Sequence, residues 1–222
     1  MAATFEGAAS DPTTTTSDAT MVVTAPAGTG GRLYAIGLCV DARTISPPSG
    51  WTEVFNDSDG TRRTYLWMRA DDAASDYTFT ASGTFNGAMS AVIRVSGAST
   101  NTPTYAHDTG PNDTSQTAPT IVTPTDNCLV FWCCLHFTNT NSTASKGTER
   151  IDNGNGTSGC WMGVYSNLEA TAGSITGATI TTGGFGAKRL LSFAIESSGG
   201  AAATPHNVFG LAINGPLRRV VL

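Results

Sequence analysis

Residues 32–40 read RLYAIGLCV and residues 128–137 read CLVFWCCLHF, each apolar at nearly every position. A run of this length that is apolar on both parities suits a strand covered on both faces, because a half-exposed strand alternates. Alternation is present in TRRTYLWMR at 61–69, where Leu66 and Met68 fall on one side and Arg63, Tyr65, Trp67 and Arg69 on the other. DYTFTA at 76–81 and AMSAVIRV at 88–95 read as further strands. Clusters of Gly, Pro, Asn and Asp separate these segments. Between residues 20 and 200 no stretch combines a helical apolar period with capping residues. Helix is therefore expected in less than about a tenth of the chain.

The second half repeats the first. Val22-Val23-Thr24 matches Ile121-Val122-Thr123, and Leu33 matches Leu129 with an apolar strand around each. TEVFNDSDGTRRTYLWMR, starting at Thr52, aligns without gaps on TERIDNGNGTSGCWMGVY, starting at Thr148. The strand 91–95 finds its partner in 192–196 after a short insertion. Half of the chain makes one poorly covered sheet, whereas two halves face to face bury both apolar surfaces. The expected fold is all-β: a two-sheet jelly-roll-like sandwich of about ten strands with an internal pseudo-twofold repeat. Its halves span 20–98 and 117–198, with an N-terminal arm at 1–19 and a C-terminal tail or added strand at 201–222. The long polar link at 96–119 also permits two separate small domains. Leu33, Ala35, Leu129, Phe131 and Leu135 are expected to face the interior, and Trp51, after Pro47-Pro-Ser-Gly50, to fold over the sandwich end.

Composition narrows the function. With 222 residues, 13% charged and a net charge of −5, the chain has the bulk for a core but little charge for a phosphate backbone. Lys146 and Lys188 are the only lysines among its 12 cations, so nucleic-acid binding is not expected. No apolar run is long enough for a membrane-spanning helix, and no membrane partner is expected. The N-terminus lacks a cation followed by an apolar stretch, which argues against a secretory signal. Cys39, Cys128, Cys133, Cys134 and Cys160 show no CxxC spacing, so no zinc site is expected. Thiols inside apolar strands behave as small hydrophobes, which fits a chain folded in a cytoplasm.

Catalytic chemistry is hard to find. The segments 56–60 (NDSDG) and 152–156 (DNGNG) resemble calcium loops but lack the later carboxylate, and hairpin turns explain them. His107, His136 and His206 lie in unrelated contexts, and no GxSxG occurs. No catalytic residue, metal or cofactor is expected. Tyr65, Trp67, Trp161 and Tyr165 share one parity of the repeated strand, so they form either a row that stacks sugars or part of a core or subunit interface. The C-terminus carries Val208, Phe209, Leu211, Ile213, Leu217, Val220, Val221 and Leu222 with Arg218 and Arg219. An apolar, basic ending of this kind is either a partner anchor or an edge strand.

The segments VTAPAGTGGRLYAIGLCV, PPSGWT, DYTFTASG and AMSAVIRVSGAS, with a weaker second copy around Gly147-Thr-Glu149, resemble the jelly-roll modules of bacteriophage virion proteins and of some bacterial surface proteins. The likeness covers about residues 20–200, and the second copy lacks the Pro-Pro and the Trp. The resemblance implies capsid decoration, a head fibre or a tail appendage, and brings no catalytic residues with it. A single module without a stalk is most similar to a capsid decoration (cement) protein. The implied role is a non-enzymatic structural protein of the virion, assembled in the host cytoplasm. The implied partners are the major capsid protein and further copies of the chain, a trimer being favoured. The alternative is a lectin-like module on head or tail that binds host glycans.

Overall fold

The structure, a computed structural model, describes residues 1–199 except 12–18, 29, 41–42, 72–75, 85–86, 111, 137–140, 155–159 and 185. Among the described residues it is all strand and turn, with no helix. In the first half, β1 (Thr4–Asp11), β8 (Ala88–Ser96), β3 (Arg32–Val40), β6 (Arg62–Ala70) and β5 (Thr52–Ser58) lie side by side in that order. All their pairings are antiparallel. A smaller sheet, β2 (Thr20–Thr24), β7 (Asp76–Ala81) and β4 (Ile45–Ser46), packs against one face.

The second half builds the same object. Its large sheet runs β9 (Thr104–Gly110), β18 (Lys188–Ile195), β12 (Cys128–His136), β15 (Trp161–Glu169) and β14 (Thr148–Gly154). Its cover is split into β10 (Ser115–Thr117), β17 (Thr179–Thr182) and β13 (Ser142–Ala144), with β11 (Ile121–Thr123) and β16 (Gly173–Ile175) alongside.

The two large sheets face each other across a central core that includes Tyr34, Ile36 and Leu38 from β3 and Phe131, Cys133 and Leu135 from β12. Phe131 stacks on Phe193 with ring centroids 4.9 Å apart, and Tyr34 reaches Phe193 at 6.4 Å. The outer faces close separate cores, one around Trp67 and Phe79 and one around Trp132 and Trp161. The molecule is thus a four-layer sandwich. Its inner strands read apolar on both parities because each is covered twice.

The stacking has pseudo-twofold symmetry. The edge strand β1 lies against β14, and the equivalent edges β5 and β9 meet at the other side. Asn153 Nδ2 donates to Ser10 Oγ at 3.0 Å at the first seam. At the second, His107 Nδ1 stands 3.6 Å from Asp57. Strand registers place Asp57 where Asn153 stands, and His107 where Ser10 stands. A self-complementary contact of this kind is what a symmetric dimer uses; here one chain supplies both sides.

Several expectations are corrected. The two-sheet sandwich is only the middle of the fold, since each half also carries its own cover. Residues 4–11, assigned to an arm, form β1 and pair with β8, and the polar link contains β9. The gapless alignment also fails, because Leu66 corresponds to Val164 and the second hairpin is two residues longer. An even insertion keeps the faces unchanged. Odd slips do not. By register Tyr34 corresponds to Phe131, so the match of Leu33 with Leu129 is off by one; Leu33 and Ala35 point into the first outer core while Leu129, Phe131 and Leu135 face the centre. Ile93 likewise corresponds to Phe193, and Val22 is exposed where Ile121 is buried. Trp51 packs on Tyr77 at 5.2 Å, beside the first outer core.

Phe131 is fully buried in the layer that joins the halves. Replacing it by Ala is expected to cost about 3–5 kcal/mol of stability, read from urea unfolding. A loss below about 1 kcal/mol would contradict its place in the central layer.

Candidate functional site

Both copies carry the same irregularity in the edge strand next to a seam. The register of β5 on β6 jumps between Glu53 and Phe55, and that of β14 on β15 jumps between Glu149 and Ile151. Each jump throws one residue out of the ladder, Val54 in the first copy and Arg150 in the second. A bulge re-aims the side chain that it carries. Val54 packs against the central core. Arg150 instead lies over the Phe5 ring of β1, its guanidinium carbon 4.1 Å from the ring centroid. Its Nε donates to Ser166 Oγ at 2.8 Å. Among the described residues no carboxylate pairs with Arg150. Partial burial lowers its pKa from the ordinary arginine value.

A cavity of about 340 Å³ opens beside this guanidinium. Ala2 and Ala3, Thr4 and Phe5 at the start of β1, and Leu129 form one part of its wall; Thr148, Arg150, Ser166, Asn167 and Leu168 of the β14–β15 pair form the rest. The wall therefore presents a cation and hydroxyls next to apolar carbon.

The pseudo-equivalent seam is packed differently. Phe55 meets Tyr105 at 5.2 Å and His107 at 4.6 Å. Arg189, with a side chain only 3% exposed, pairs with Asp57, donates from Nη1 to Thr109 Oγ1 at 2.8 Å and from Nε to Thr64 Oγ1 at 3.3 Å. Met68 stands where Ser166 stands in the second copy.

The aromatic residues singled out by sequence do not form a ligand platform. Tyr65, Trp67, Trp161 and Tyr165 are all buried in the outer cores, which decides between the two alternatives in favour of a core role. The cause is the cover sheet, which lies over the face where they point. Two of them tie cover to sheet. The Tyr65 hydroxyl accepts from Ile45 N–H at 2.7 Å and donates to the Arg43 carbonyl at 3.2 Å. The Tyr165 hydroxyl pairs with Ser142 Oγ, and burial pushes its pKa up to about 12.

The other candidates also have places. The first calcium-like loop is a hairpin turn in which Asp59 Oδ1 accepts from Thr61 N–H at 2.9 Å, Thr61 Oγ1 at 2.8 Å and Arg62 N–H at 2.8 Å. The second loop ends outside the described residues. His107 sits on β9, while His136 is buried against Trp161 with ring centroids 4.6 Å apart. Among the described residues no group of His, Cys, Asp and Glu is placed to hold a metal ion. All five cysteines are buried and unbridged, as expected from their apolar context. Val208, Phe209, Leu211, Ile213, Leu217, Arg218, Arg219 and Leu222 lie outside the described residues.

Sequence reasoning passed over Arg150, Phe5, Ser166 and Asn167. A signal existed in the repeat itself, where Thr148-Glu-Arg150 stands against Thr52-Glu-Val54, a cation replacing an apolar residue. No protein-family model matches the chain, nor does any curated protein or solved structure.

Tyr65→Phe leaves the Ile45 N–H without its partner in a buried place. The expected cost is about 1–3 kcal/mol, read from the unfolding midpoint. Asp59 gives a pH signature. Burial alone would raise its carboxyl, but bonds from Thr61 and Arg62, helped by the Arg62 charge, hold it below the usual range. Its contribution is therefore present above the unfolded carboxylate value and lost as pH falls through the lower folded one. The stability gap between the native chain and Asp59→Asn is expected to stay level from about pH 8 to 5 and to shrink below about pH 4. A gap that widens on acidification would contradict this.

Proposed function

We propose that the chain is a non-enzymatic structural protein of a bacteriophage virion that binds the capsid surface as a decoration protein. The observation that carries this reading is the strand order. In the first half the first, eighth, third and sixth strands make the large sheet, and the second, seventh and fourth make the cover; the second half follows the same order once β10 with β11, and β16 with β17, are each counted as one interrupted strand. We read this as a jelly-roll winding, a plan that viral capsid domains use, with the fifth strand hairpinned onto the sixth. The winding occurs twice in one chain, stacked across a pseudo-twofold axis. Large sheets covered on both faces leave loops and terminal segments for attachment. The partner is the major capsid protein, the location is the virion after assembly in the host cytoplasm, and the chain acts as a trimer. Several weak contacts per particle then sum to firm attachment. The terminal segment 206–222, with its apolar residues and Arg218 and Arg219, is the proposed anchor.

Co-sedimentation with empty capsids of the phage that encodes the chain tests this. Saturable binding by the full chain, lost on deletion of 206–222 with the fold intact, is the expected result. Binding that survives the deletion would move the anchor elsewhere, and no binding by the intact chain would sink the proposal.

A second reading is a lectin-like module binding host glycans. It no longer draws on Tyr65, Trp67, Trp161 and Tyr165, which are buried. It draws on the mixed polar and apolar cavity at Arg150.

A further inference from the structure

We propose that the cavity beside Arg150 binds a small carboxylated sugar of the uronic-acid class, through a pair between the guanidinium and the sugar carboxylate. The proposal rests on the glycan-binding reading and deepens it.

Charge is the first argument. The chain has 17 acidic residues against 12 cations, and Arg62, Arg94 and Arg189 each have an aspartate partner. Arg150 has a neutral hydroxyl and an aromatic ring instead. None of the residues lining its cavity is acidic. A guanidinium offers five donors in a planar fork that fits a carboxylate. Only Nε is engaged among the described residues, which leaves the two Nη groups for a ligand.

Placement is the second. Arg150 is the bulged residue, and the same bulge in the first copy holds Val54 against the core. Met68 replaces Ser166 there as well. The fold thus accommodates an apolar pair at this place, so its packing does not require the Arg150–Ser166 pair. The ring of Phe5 and the bond to Ser166 hold the guanidinium in one orientation before any ligand arrives, which reduces the ordering cost of binding.

The rest of the wall fits a pyranose. Thr148 offers a hydroxyl. Leu129 and Leu168 supply carbon surface for the C–H face of the ring. The volume of about 340 Å³ lies at the small end of ligand sites, the range for a single ring rather than a long chain.

Calorimetric titration of the full chain with glucuronate, glucose, acetate and a peptide with the sequence of residues 212–222 tests the assignment. Glucuronate is expected to bind saturably, with glucose and acetate at least about tenfold weaker. Arg150→Gln is expected to weaken glucuronate about tenfold or more at an unchanged melting temperature, with Arg150→Lys in between. Leu168→Trp, which fills the cavity from its exposed rim, is expected to abolish binding. About 0.5 M salt should weaken glucuronate and leave glucose unaffected. Equal binding of glucose and glucuronate, untouched by Arg150→Gln, would overturn this site while leaving the glycan-binding reading in place. Absence of any sugar binding at about 10 mM would remove both. Tighter binding of the peptide than of glucuronate would overturn the sugar assignment in favour of a polypeptide carboxylate.

Discussion

The contact between the two large sheets is the interaction on which the rest depends. Phe131, Phe193 and Tyr34 form its aromatic centre, and Leu66, Ile93, Val164 and Leu191 extend it. Each half alone would present this apolar face to water. Face-to-face stacking removes both at once and gains the area-proportional free energy of doing so. It also brings the edge strands of the large sheets into pairs, β1 with β14 and β5 with β9, where their side chains reach each other. Covered edges are poor templates for unwanted strand pairing.

A symmetric contact inside one chain is free to become asymmetric, because the two copies mutate separately. At one seam Asp57, His107 and Arg189 make a polar clasp over Phe55. At the other, Asn153 and Ser10 keep a single hydrogen bond, while Arg150 and Ser166 border an open cavity. Strand pairing is nearly the same on both sides. The difference between the seams therefore lives in side chains placed by a common backbone irregularity, the bulge at Val54 and Arg150.

The outer layers do different work. They hide the second face of each large sheet, and their buried hydroxyls fix the spacing between cover and sheet. Tyr65 takes the Ile45 N–H in the first half, and Tyr165 meets Ser142 in the second. Burial pushes the Cys134 thiol up to about 12, which keeps it protonated and consistent with a packing role. The rings that looked like a sugar platform are part of this scaffold, and the polar, concave chemistry sits at the seam instead.

The strand character of Arg32–Val40 and Cys128–His136, the two faces of 61–69 and the duplication were all legible along the chain. These are local properties: a strand's side chains alternate, and an apolar residue on either parity reports that its own face is covered. The register between the copies was not legible. A strand that is apolar on both faces reads the same after a slip of one residue, so Leu33 and Tyr34 were equal choices until hydrogen bonds to Arg69 and Met68 separated them. Among the cover strands, β10, β13 and β16 were not legible for another reason: they are three residues each and too short to show a period. Arg150 was one cation among twelve. Only the folded chain brings it over Phe5, from the far end of the repeat, and leaves it without a carboxylate among the described residues, because solvent exclusion and charge pairing are decided between segments that the sequence keeps apart.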